Sequence, residues 1–155
     1  MSRRSVLIDA LAATPRDLER LLRPVPEARF LLRPGGEEWC IADVVAHLAD
    51  IEQRFLVQLQ RIVAEANPQI EGLPPHPQQH DLTRPAADLA AEFAVRRTVT
   101  LEFLRGLQQA DWARPFVSAS GHALRFRDRI QLLVGHDSSH LNQIIALREQ
   151  LERNQ

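Results

Sequence analysis

The chain has 155 residues, 45% of them hydrophobic, and a formal net charge of −1. That length suits one ordinary globular domain with a real core, expected to span residues 1–155, and the balanced, interspersed charge leaves no basic footprint for nucleic acid. All 19 basic residues are arginine and tyrosine is missing, so lysine Schiff-base chemistry and tyrosine acid catalysis are excluded.

Four amphipathic segments follow in chain order. The first, from about Ser5 to Arg23, has Val6, Leu7, Leu11, Leu18, Leu21 and Leu22 on its apolar side. Ser2-Arg3-Arg4 before an apolar stretch resembles a secretory signal, but Asp9 interrupts that stretch and the amphipathic pattern continues. Thr14-Pro15 either kinks this helix or restarts it, since proline suits a first turn. Pro24, Pro26 and Pro34-Gly35-Gly36 mark a loop, and a second helix is expected from about Ile41 to Ala66. From Asn67 to Pro85 the chain is polar and proline-rich, which reads as a long crossover loop with His76 and His80 facing solvent.

A third helix follows Pro85 as far as about Gln109, with Leu89, Phe93, Thr100, Phe103 and Leu107 on its buried side and Glu92, Arg96 and Arg97 on its polar face. Pro115 to Leu124, with Ser118, Ser120 and Gly121, reads as an irregular link or a very short hairpin in which His122 faces solvent. A fourth helix spans about Arg125 to Glu152. Four such helices with one long connection predict an all-α four-helix bundle. No run of eighteen apolar residues exists, so no membrane span is expected. The single cysteine, Cys40, cannot form an internal disulfide, which is compatible with a reducing compartment, and a cytoplasmic protein is expected.

Histidines interrupt two of the apolar stripes. Leu133, Ile144, Leu147 and Leu151 form one whose missing steps are His136 and His140. Val44 and Ile51 bracket His47 in the other. Two positions four apart lie on one helix face about 6 Å apart along the axis, within reach of one ion. Three neutral imidazoles packed into a small core without partners would leave polar nitrogens unsatisfied at about 1–3 kcal/mol each. A shared divalent cation removes that penalty, so His47, His136 and His140 are the expected metal ligands.

Other polar residues have narrower expectations. Asp43 and Asp50, at spacings of four and three from His47, are candidates to hold its outer nitrogen or to act as a general base. Glu52 and Asp137 point elsewhere by helix geometry. Gln143, three after His140, is a candidate for contact with a bound cofactor or ligand. Cys40 lies seven residues before His47, about 10 Å along a helix, outside the expected ligand set. Asp137 follows His136, so the pair is not the His-Glu-x-x-His arrangement of zinc peptidases.

The stretch from Glu38 through Trp39 and His47 to Leu48, together with His136-Asp137-Ser138-Ser139-His140-Leu141-Asn142-Gln143-Ile144, resembles the DinB/YfiT-like superfamily. A tryptophan before the second helix, a histidine inside it and a His-x-x-x-His pair on the last helix occur in the family's order. Cys40 stands where that family usually has serine or threonine as a helix cap, with Asp43 three positions on. The resemblance implies up-down-down-up connectivity, a metal triad at His47, His136 and His140, and a homodimer.

Three neutral imidazoles leave a divalent ion its full charge and open positions, which is catalytic in character, and imidazole suits zinc, nickel or iron. The expected function is that of a metal-dependent enzyme, either a hydrolase or a transferase of a low-molecular-weight thiol, acting on a small molecule. The rival is a non-catalytic metal or small-ligand binding protein of stress response.

Overall fold

Each expected helix forms within a few residues of its expected limits in a computed structural model that describes residues 1–73 and 80–154. They are α1 (Arg3–Leu22), α2 (Ile41–Ala64), α3 (Ala86–Gly106) and α4 (Phe126–Arg153). α1 packs on α3 and α4, and α2 packs on the same two, so α1 and α2 lie on opposite corners of the bundle. Phe55, Leu59 and Ile62 of α2 meet Leu11, Leu104, Phe126 and Ile130 in the main apolar cluster. A second cluster around Val44, Leu48, Phe93 and Ile144 fills the other end.

Contacts at the helix ends fix the direction of each helix. Arg4, at the start of α1, donates to the carbonyls of Leu104 and Leu107 at the end of α3, so those helices are antiparallel. Arg3 reaches Gln131 near the start of α4, which makes α1 and α4 parallel. The short strand β1 (Gln69–Ile70) after α2 pairs in parallel with β2 (Pro115–Ser118) after α3, placing both helix ends together. The order is therefore up-down-down-up. Because α2 and α3 run the same way, the chain between them must travel back along the bundle, and that return brings His80 beside Asp43 at the start of α2.

The expected short hairpin forms: β2 pairs antiparallel with β3 (Ala123–Arg125). Its turn contains Gly121 at φ 86, a left-handed conformation in which a side chain would be strained. β1 was not legible, since a two-residue strand has no periodicity to read. Val6, expected on the apolar side of α1, is 49% exposed, while Leu7, Ile8, Leu11 and Leu18 are buried.

Pro15 does not restart the helix, and α1 runs through it. Proline lacks the N–H that would bond to the carbonyl four residues earlier. That carbonyl, of Leu11, instead accepts from the Arg97 guanidinium at 2.8 Å. Arg97 is therefore not on the polar face of α3 but in the core at 0% exposure. It bonds to Glu52 of α2 at 2.7 and 2.9 Å and to Asp137 of α4 at 2.7 and 3.0 Å. Thr14 donates its hydroxyl to Asp137 at 2.6 Å. Burial alone would lower the Arg97 pKa, but the hydrogen bonds and charges of the two carboxylates outweigh it and raise it. Charge pairing moved this residue inward against its polarity.

Candidate metal centre

α2 delivers His47 and α4 delivers His136 and His140 to one point between the two helices. Nε2 of His136 lies 3.0 Å from Nε2 of His47 and 3.1 Å from Nε2 of His140. One ligand nitrogen from each ring lies within 4.8 Å of the others. Bonds of about 2.0–2.1 Å in a tetrahedral shell set ligand nitrogens about 3.3 Å apart, close to the two separations that His136 makes with His47 and His140. His47 is 1% exposed, while the two α4 histidines are partly buried, so the site opens on the α4 side.

The chemistry of the donors fits as well as their spacing. Nδ1 of His140 lies 2.8 Å from Oε1 of Gln143, an oxygen that only accepts. The ring proton of neutral His140 therefore sits on Nδ1 and leaves the Nε2 lone pair facing the other two rings. Gln143, a candidate for contact with a bound cofactor, is thus placed against His140.

Asp43 is fully buried and gathers three segments of chain. Its carboxylate accepts from the Cys40 backbone N–H at 3.0 Å, completing the helix start that Cys40 alone caps poorly. Arg33 from the preceding loop pairs with the same oxygen, and the His80 backbone N–H donates to the other at 2.9 Å. Burial pushes the carboxyl pKa up, but the His80 and Cys40 N–H groups, the Arg33 guanidinium and the Cys40 thiol more than reverse this, to about 2.

The Trp39 ring forms one wall of the site, with centroids 5.2 Å from His47, 6.3 Å from His140 and 4.9 Å from His80. His80 thus belongs to the site's surroundings rather than to solvent, because the return of the crossover passes over the start of α2. No sequence signal marked it, since it lies in a loop without periodicity. His122 does face outward and bonds to Ser120 at 2.8 Å. His76 lies outside the described residues.

Asp50, expected beside His47, instead lies on the solvent face of α2 and pairs with Arg54 at 3.2 Å. A carboxylate that can stay hydrated has no reason to turn into a core. Glu52 and Asp137 turn away from the imidazoles, as expected, and toward Arg97. Cys40 is sealed in at 0% exposure with its thiol 3.2 Å from Asp43. Burial raises its pKa, and the adjacent carboxylate disfavours the thiolate further.

Residues 10–144 match the family described as the DinB superfamily. Among solved structures, the chain is similar to YfiT from Bacillus subtilis, described as a probable metal-dependent hydrolase with an unusual four-helix bundle topology. The two share 17% identity at a TM-score of 0.82, covering 98% of this chain and 90% of that one, a likeness of fold. No curated protein matches the chain significantly.

Proposed function

The chain belongs to the DinB superfamily, and from that premise we propose that it is a metal-dependent enzyme acting on a small molecule at His47, His136 and His140, by hydrolysis or by transfer of a low-molecular-weight thiol. The convergence of three imidazole nitrogens at ion-binding spacing carries the reading. Zinc, nickel or iron bound there would supply Lewis acidity, undiminished by any anionic ligand.

The chain's own residues narrow the chemistry. Cys40 is enclosed and its thiolate disfavoured, so a sulfur nucleophile would have to arrive with the ligand. Water or an incoming small thiol is then the attacking group, and the description of YfiT as a hydrolase supports the first. Gln143 keeps His140 in its ligating tautomer, and Trp39 shields one side from bulk water. For the homodimer, exposed Val95 and Val99, one turn apart on α3, offer an apolar strip, and light scattering measures it.

Elemental analysis of untagged protein and of its His47→Ala, His136→Ala and His140→Ala variants tests the site. Near-stoichiometric metal in the wild type, lost in all three variants, is expected. Turnover of simple esters, amides and thiol adducts by the loaded protein then separates enzyme from binding module. Full metal without any turnover would favour the module.

A further inference from the structure

His80 reaches the site through Asp43. Its backbone N–H and its Nδ1 lie 2.9 and 3.3 Å from the same carboxylate oxygen. An ionised carboxylate only accepts, so Nδ1 carries the proton in this contact, and whenever the ring is uncharged its Nε2 offers a lone pair. That Nε2 is buried and has no hydrogen-bond partner among the described residues, on a side chain only 10% exposed. Buried acceptors are nearly always satisfied, so one left open beside a ligand site points to the ligand. The ring packs 4.9 Å from Trp39 and 6.1 Å from His47, next to the triad. Yet His80 is not one of the three residues whose nitrogens converge on the ion position.

We infer that His80 Nε2 accepts a hydrogen bond from the small molecule held at the three-histidine site, which makes that molecule one with an N–H or O–H donor beside the atoms facing the ion. The inference rests on reading the triad as a metal site that binds a small molecule. His80 is a recognition residue standing behind the ligand set, and Asp43 sets both its position and its tautomer. Asp43 can do this because Arg33 and Cys40 hold the carboxylate from its other side.

Two hydroxamates provide the test. Acetohydroxamate and N-methylacetohydroxamate chelate divalent ions through the same oxygens, but only the first carries an N–H. Each is titrated calorimetrically into zinc-loaded full-length wild type and His80→Phe. Phenylalanine keeps a ring against Trp39 and leaves the backbone N–H on Asp43. The substitution is expected to weaken acetohydroxamate three- to tenfold, roughly one net hydrogen bond, and to change N-methylacetohydroxamate less than twofold.

Equal weakening of both probes, or of neither, overturns the inference. So does loss of zinc from His80→Phe, because His80 would then be a ligand. A wild type that holds no zinc, nickel or iron overturns the triad reading itself and the inference with it. A zinc-loaded wild type that discriminates no differently from His80→Phe overturns the role of His80 alone.

Discussion

Arg97 on α3 grips Asp137 on α4 through two nitrogens at 2.7 and 3.0 Å, one residue beyond His136. The same guanidinium holds Glu52, five residues after His47, so one α3 side chain ties together the two helices that carry the triad. Arg97→Ala would leave two buried carboxylates uncompensated, and a loss of about 3–5 kcal/mol is expected in urea unfolding. Arg97→Lys should recover only part of it, because an ammonium has three donors on a single nitrogen, whereas the guanidinium makes two bonds to each carboxylate and one to the Leu11 carbonyl. A loss below about 1 kcal/mol in the alanine variant would show that the network is not what holds these helices.

Gln143 should matter to metal affinity without touching the ion. Gln143→Ala removes the acceptor that keeps the His140 proton on Nδ1 and is expected to weaken zinc binding about tenfold. His140→Ala should weaken it further. Competition with a chromogenic chelator measures both, and unchanged affinity in Gln143→Ala would remove the residue from the site's support.

Asp43 predicts an acid dependence of stability. Its pKa falls from 3.8 to about 2 on folding, so the folded chain holds this carboxylate ionised more readily than the unfolded chain. The stability it contributes is fully present above pH 4 and is lost as pH falls through about 2. The difference in urea midpoint between wild type and Asp43→Asn should therefore be constant from pH 7 to about 4 and narrow below it. A difference that grows on acidification has the wrong sign.

Cys40 should behave as core rather than as reagent. With the thiol enclosed and its pKa raised by burial, alkylation by iodoacetamide is expected to follow the opening of the fold. The labelling rate should rise steeply across the urea transition. Rapid stoichiometric labelling of native protein would contradict the buried placement.

The helices and the triad were legible because both rest on periodicity. Histidines in phase with Val44, Ile51, Leu133 and Ile144 had to face the same core as those residues. The same reasoning misplaced Arg97, because its burial depends on Glu52 and Asp137 in distant helices and on a carbonyl exposed by Pro15. Asp50 was equally close in phase to His47, but nothing in the spacing says that Arg54 outcompetes an imidazole for it. His80 depended on the path of a loop, and only the parallel run of α2 and α3 forces that path back over the start of α2.

That parallel run also decides when the site exists. Trp39, His47, His80, His136 and His140 come from segments separated by most of the chain, and no fragment with two neighbouring helices contains them all. On the proposed metal reading, ion binding and global folding are linked, since only the assembled bundle brings the three histidine nitrogens together. At free ion a hundred times its dissociation constant, the linkage adds about 2.7 kcal/mol, so the melting temperature itself should report ion concentration.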